Sequence, residues 1–557
     1  MPSSITTDYP WQHIYDELNV VVPVVEDRPL GSYVQEFSVS HADAPAALYF
    51  NRTITYAEIN AEANQMANAL VSLGVKKGDV VGMYLINIPH YLVALIAVSK
   101  IGCAGSGVSP LMSPSELAYQ VQDAGISVLI SLDDLVDSTL QRVTDTPACL
   151  KHVISCSASD HLNPQPAEAK QLTGLQCHSY LELISQHSTE FDQQPVTGND
   201  TMMVQYTGGT TGRPKGAELS LRNLMYNPMQ SSAYLPWEQG SETVVTGFPM
   251  FHAAGLAFAI ASLSSGSQFT LIPNPRDVEF ICAQMKFRPP TRIAAVPSLF
   301  QMLVETPAFK EVDFSNLKIA NTGAAPLSSG DRQNIEDIIG VDKISDMFGM
   351  TETGPVHVCN PLGRSIPSAV GIPVPGADTR IVDLETGTQE MPFGEPGEII
   401  TSGPHVMKGY LNLPEESLNS LRQWRGKTWM YTGDVGYMDE EGYIYLCDRA
   451  KDMLIVGGFK VFSVEVEDKM QSMDQIAMTA LIGQPDTNRP GNDIVHLYVE
   501  PTVTAKALDK AELEADILAF CREHMAPYKV PKVIHIIDAI PLTAVGKIDK
   551  KALRATA

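Results

Sequence analysis

Residues 201–216, TMMVQYTGGTTGRPKG, constrain the fold more than any other stretch of the chain. Met202, Met203 and Val204 read as a buried strand, because apolar runs of this length bounded by turn residues are usually core strands. The strand must then open into a turn. Gly208, Gly209 and Gly212 can take positive φ and lack Cβ, so successive N–H groups can converge on one anion at close range. Thr207, Thr210 and Thr211 add hydroxyl donors, and Lys215 adds a mobile cation. These are the donors of a phosphate-holding loop at the end of a strand. A Gly-Lys-Ser/Thr loop leading into a helix is excluded, since Pro214 precedes Lys215 and Gly216 follows it. A Gly/Thr surface hairpin is the competing reading, and the TTG-x-PKG ending weighs against it.

With 557 residues the chain is too long for one ordinary core and should divide into a large part and a smaller one. The net charge of −25 argues against a nucleic-acid partner and against electrostatic docking to anionic lipid. The first residues, MPSSITTDYPWQHIYDEL, have neither a basic nor an apolar leader region, so a cytoplasmic protein is expected. Asn87, Pro89, His90 and Lys100 interrupt the apolar stretch 80–108, which reads as a buried helix rather than a transmembrane span. The eight cysteines are scattered without a C-x-x-C pair or a histidine cluster, so reduced structural thiols and no metal site built by protein alone are expected.

Residues 45–135 alternate helical and strand patterns. Ile59, Met66, Leu70 and Leu73 fall at helical spacing, with Thr55 as N-cap and Gly74 closing the helix. VGMYLINI and SVLISL read as strands, with helices near 90–101 and 114–123 between them. Such alternation implies α/β layers with largely parallel sheets. Residues 145–198, rich in Ser, Gln, Pro and His, read as a surface excursion. Ser220 should cap a helix that braces the loop from behind, and TVVTGFPMFHAAGLAFAI should be a strand ending at Pro249 and a helix starting near His252. From Val461 the pattern resets to a compact unit. The predicted fold class is α/β: a large multi-layer α/β N-terminal domain, residues 1–450, followed by a small mobile α+β C-terminal domain, residues 451–557.

Five motifs follow one another along the chain: TTGRPKG, then NTGAAPLS at 321–328, DMFGMTETG at 346–354, YTGD at 431–434 with the DR pair ending at Arg449, and PLTAVGK ending at Lys547. In this order and over nearly the whole chain they resemble the adenylate-forming superfamily, with bacterial medium- and long-chain fatty acyl-CoA synthetases as the nearest branch. The resemblance implies that residues 207–212 and Lys215 hold phosphate, and that Gly323, Ala324, Ala325 and Phe348 contact adenine. Phe348 stands where many members have Tyr. It further implies that Thr351 reaches phosphate, that Glu352 binds Mg²⁺ together with ATP, and that Asp434 and Arg449 serve the ribose. Phe251 and His252 would border the acyl pocket, Gly457 and Gly458 would line the thiol channel, and Lys547 would be the mobile adenylation lysine, with the hinge near Lys451.

The implied reaction joins a carboxylic acid to AMP, drawing on ATP and Mg²⁺, and then passes the acyl group to coenzyme A. Residues 253–255, Ala-Ala-Gly, leave room for a chain rather than a ring and favour an aliphatic acid, and the resemblance of GGFKVFSVEVE to the fatty acyl-CoA synthetases implies a medium- or long-chain fatty acid. Within this fold the competing readings are a short-chain or aryl acid CoA ligase and a fatty acyl-AMP ligase loading a carrier protein. Outside it stands a nucleotide-gated binding protein without chemistry. Fatty substrates allow peripheral contact with the inner face of the membrane, and a homodimer is compatible with the sequence.

Overall fold

The computed structural model describes residues 9–24, 26–165, 168–207, 213–233, 235, 237–325, 327–457, 459–487, 489–543 and 547–556. Six of the expected site residues, Gly208, Gly209, Thr210, Thr211, Gly212 and Gly458, lie outside them.

Two large sheets share one hydrophobic core in the first part of the chain. The first has nine described strands, in the order Ile372–Pro373, Val356–Cys359, Ile344–Gly349, Ile319–Gly323, Arg292–Ala295, Thr243–Thr246, Gln268–Leu271, Pro45–Tyr49 and Arg52–Thr55. The second has eight, from Gly409–Tyr410 through Lys215–Ser220, Thr201–Thr207, Ala104–Gly107, Val80–Tyr84 and Ile126–Leu132 to His152–Cys156 and Gln176–Ser179. Central pairs are parallel and only the edges turn antiparallel. That is the pattern expected of crossover helices. Between the sheets Val81, Met83 and Met203 of one meet Val244, Phe269 and Leu271 of the other in a single apolar cluster.

Local chemistry sets the helix starts. Thr55 and Ser113 each close a reciprocal cap with the glutamate three residues on, satisfying N–H groups that the first turn leaves without partners. The helix Pro89–Ile101 is buried on every side, as a helix apolar all round should be. Among the described residues no helix is long and apolar enough to cross a membrane. Residues 145–198 differ from their reading as an excursion: His152–Cys156 and Gln176–Ser179 extend the second sheet in parallel register. Their apolar runs are too short to stand out from the surrounding Ser, Gln and Pro. The strand expected to reach Pro249 stops at Thr246. Beyond it Asn87 holds the turn, donating to the Phe248 carbonyl at 3.0 Å and accepting from the Met250 N–H at 2.8 Å.

A third sheet, built on the long strand Lys427–Met438, leads to a smaller C-terminal domain. Strands Ile476–Pro485, Asp493–Pro501 and Val533–Ile536 form its sheet, and helices Ser463–Met470 and Lys510–His524 lie beside them. Its core clusters draw only on residues from Leu454 onward, Val466, Leu497, Ile517 and Leu553 among them.

Candidate active site

Lys215 opens the strand that returns from the expected phosphate loop, paired antiparallel with Thr201–Thr207. On its other side runs the short strand Gly409–Tyr410, which brings Tyr410 opposite Ala217. The Lys215 ammonium lies 5.2 Å from the centre of the Tyr410 ring and pairs with the Glu416 carboxylate. Tyr410 in turn donates its hydroxyl to Glu352 Oε1 at 2.6 Å. Lys215 and Glu352 are thus bridged by a tyrosine that motif reading missed. Its only sequence signal is the GYLNLPEE run, whose Gly-Tyr and Pro-Glu pairs carry no chemistry until the strands are paired.

Glu352 sits in the single 3₁₀ turn Thr351–Thr353 and is 5% exposed. Burial raises its carboxyl above the usual range, opposed by the Tyr410 hydrogen bond and the positive charge of Arg449. Among the described residues no three His, Cys, Asp or Glu side chains gather as a metal cluster. A lone buried carboxylate fits Mg²⁺ that takes its remaining ligands from nucleotide phosphates and water.

The strands Ile319–Gly323 and Ile344–Gly349 run parallel, with Gly323 opposite Met347. A Cβ at Gly323 would stand 2.6 Å from the Met347 carbonyl oxygen, so only glycine lets the two strands close there. Ala324 follows with φ of +68°, the left-handed region that costs a side chain most. This turn lies beside Phe348, whose ring packs against buried His357 at 5.0 Å. Asp434 and Arg449 face each other across antiparallel strands and pair at 3.2 Å.

Lys547 is half-buried, its N–H donating to Thr543 Oγ1 at 3.2 Å. Burial and the charge of Arg449 push its ammonium below the ordinary range, while Asp434 and Glu352 pull the other way. Asp434 is raised by burial and lowered by Arg449 and Lys547. His252 stands at the N-cap position of the helix Ala253–Ser264, without a side-chain capping hydrogen bond, and is pushed down to about 4 by burial and by Lys547, which keeps it neutral near pH 7. Residues read from motifs up to about 300 positions apart therefore act on one another electrostatically, and the small domain supplies one of them. The arrangement gathers two lysines, an arginine, two buried carboxylates and a neutral imidazole.

The AMP-binding enzyme profile matches residues 34–411 and the AMP-binding enzyme C-terminal domain profile matches residues 465–547. A long-chain-fatty-acid–CoA ligase of Bacillus subtilis (strain 168) is 33% identical over 543 residues, covering 95% of this chain and 94% of that protein. Among solved structures, ATP-bound MatB from Rhodopseudomonas palustris superposes with a TM-score of 0.81 at 27% identity, over 95% of this chain and 99% of that one. The anthranilate CoA ligase AuaEII in complex with anthranoyl-AMP shares the fold, with a TM-score of 0.85 at 24% identity over 96% and 98% of the two chains. Motifs, fold and matched profiles agree: the chain belongs to the adenylate-forming superfamily of AMP-binding enzymes.

Proposed function

We propose that this adenylate-forming CoA ligase activates a medium- or long-chain fatty acid, first to acyl-AMP with release of pyrophosphate, then to acyl-CoA with release of AMP. The observation that carries the reading is Lys547 of the small domain lying within electrostatic reach of Glu352, Asp434, Arg449 and His252 of the large one. In the first step the acid's carboxylate attacks the α-phosphorus of ATP. Two anions must meet, and fixed cations are the remedy: Lys547 steadies the carboxylate and α-phosphate, and Lys215 the departing phosphates. Mg²⁺ bound at Glu352 would supply further charge neutralisation on the phosphates. Thr351 offers phosphate a hydroxyl. Phe348, Gly323, Ala324 and Ala325 receive the adenine, and Asp434 with Arg449 the ribose.

In the second step the thiol of coenzyme A attacks the activated carbonyl and AMP departs, so the chain needs no nucleophile of its own. Gly457 and Gly458 are assigned to the thiol channel. The domain boundary is placed at residues 450–451, with Lys451 as the hinge that lets one site serve both steps. Neutral His252 and Phe251 border the acid; Gly255 is needed where a Cβ would stand 2.2 Å from the Pro249 carbonyl oxygen, which leaves Ala253 and Ala254 as the small residues that favour a chain over a ring. The name of the Bacillus subtilis relative supports the same substrate class.

A panel of acids in a CoA-dependent AMP-release assay tests this reading. Straight-chain acids should give higher kcat/KM than benzoate or cinnamate. A higher value for an aromatic acid would move the enzyme to the aryl-CoA ligases, and AMP release that ignores coenzyme A would point to a carrier-protein acceptor.

A further inference from the structure

The helix Leu221–Ser232 carries three buried side-chain amides, Asn223, Asn227 and Gln230, 5%, 2% and 0% exposed. Spacings of four and three residues put them on one face. Burying amides is costly unless they are bonded, and all three are bonded here, chiefly to backbone far away in sequence. Asn223 Nδ2 donates to the carbonyls of Pro404 at 2.6 Å and Val406 at 2.7 Å. Asn227 clamps one residue from both sides, donating to the Val356 carbonyl at 2.5 Å and accepting from the Val356 N–H at 3.1 Å. Gln230 donates to the Pro375 carbonyl at 3.0 Å.

The two asparagines grip the backbone on either side of Glu352. Downstream, Val356 lies just past the Thr351–Thr353 turn. Upstream in space, the Met407 N–H donates to the carbonyl of Glu352 itself at 2.9 Å, and Met407 follows Val406, which Asn223 holds. The same helix grows directly out of the strand that begins at Lys215. Ser220 ends that strand and caps the helix in a reciprocal box with Asn223. One strand-helix unit therefore carries the phosphate lysine at one end and the grips on the Glu352 turn at the other.

We propose that Asn223 and Asn227 are positioning residues that hold the Thr351–Thr353 turn in register with Lys215, so that Glu352 meets the phosphates at a fixed separation from the lysine. The inference rests on the reading of Glu352 as an adenylation residue. It is specific to the first half-reaction, because the second has no polyphosphate to hold.

The test measures pyrophosphate release with a straight-chain acid, and separately thioester formation from supplied acyl-AMP and coenzyme A, in full-length Asn227→Ala, Asn227→Asp, Glu352→Gln and the Asn227→Ala/Glu352→Gln double variant. Asn227→Ala should slow pyrophosphate release by about 10- to 100-fold, the scale of a small misplacement of a reacting group. Thioester formation should stay within about twofold. Asn227→Asp, which can still accept from the Val356 N–H but cannot donate to its carbonyl, should fall between, and it decides the matter if Asn227→Ala does not fold. Once Glu352 is replaced, the Asn227 change should add little, since its effect runs through that carboxylate. An equal fall in both half-reactions, additive losses in the double variant, or unchanged pyrophosphate release would each overturn the proposal. Undiminished pyrophosphate release in Glu352→Gln would instead remove the adenylation reading of Glu352 and, with it, the basis of the inference.

Discussion

Replacing Tyr410 by Phe deletes one oxygen and keeps the ring beside Lys215, so it isolates the 2.6 Å hydrogen bond to Glu352. Burial already raises the Glu352 carboxyl, and this bond is the largest influence lowering it. Without it the carboxyl should rise further and be less ionised at any given pH. The acid limb of pyrophosphate release should then move to higher pH, because a hydrogen bond that favours the charged form has been removed. An unmoved limb in Tyr410→Phe would detach the tyrosine from the carboxylate's titration. Tyr410 also marks where sequence reading ran out. Lys215, Glu352, Asp434, Arg449 and Lys547 sit inside the contiguous motifs that carry the family resemblance, so a local pattern singles each of them out. Tyr410 and Glu416 reach Lys215 only through pairing of strands nearly two hundred residues apart, as Tyr410 opposite Ala217 shows. No local pattern encodes that meeting.

Among the elements, the helix Leu221–Ser232 repays attention because its first turn is tied to the strand before it. Ser220 accepts from the Asn223 N–H at 3.2 Å while Asn223 accepts from the Ser220 N–H at 2.7 Å. Ser220→Ala should cost about 1 kcal/mol, the usual worth of such a cap, and lower the thermal midpoint without abolishing the fold. Differential scanning calorimetry reads this directly, and an unchanged midpoint would mean that the helix start is held by its packing alone. The cap was legible in sequence, as were Thr55 and the buried helix Pro89–Ile101, because caps and unbroken apolar runs are local. The strands His152–Cys156 and Gln176–Ser179 were not, because both are only four or five residues long and take their hydrogen bonds from neighbours distant in sequence, Gln176–Ser179 at the very edge of the sheet.

For the whole molecule, three histidines, His357 and His405 fully buried and His252 partly so, tie stability to pH. Burial pushes His252 to about 4 and His357 and His405 to about 3, whereas unfolded histidines titrate near 6.5. Below about pH 6.5 the unfolded chain takes up protons that the fold refuses, so stability should fall on acidification by about 1.4 kcal/mol per pH unit for each histidine. Buried Glu352 and Asp434, raised in the fold, oppose this at lower pH. Thermal midpoints between pH 7 and 5 should therefore slope less steeply in His357→Phe than in the parent, and parallel slopes would assign the loss to other groups. The reach of Lys547 across the two domains carries its own expectation. Lys547→Ala should slow acyl-AMP formation by at least ~10²-fold yet spare conversion of supplied acyl-AMP to thioester, and equal losses would make the lysine structural. The cysteines bear on how such rates are followed. None of the eight forms a disulfide, and burial raises the thiols of Cys103 and Cys156, of Cys282 and Cys447 to about 11, and of Cys521 to about 11 as well. Thiolate is the reactive form, so the protein presents little of it at neutral pH. Timed, quenched aliquots treated with a chromogenic disulfide reagent should consequently report the loss of free coenzyme A thiol over a low protein background, which counts thioester formation separately from pyrophosphate release.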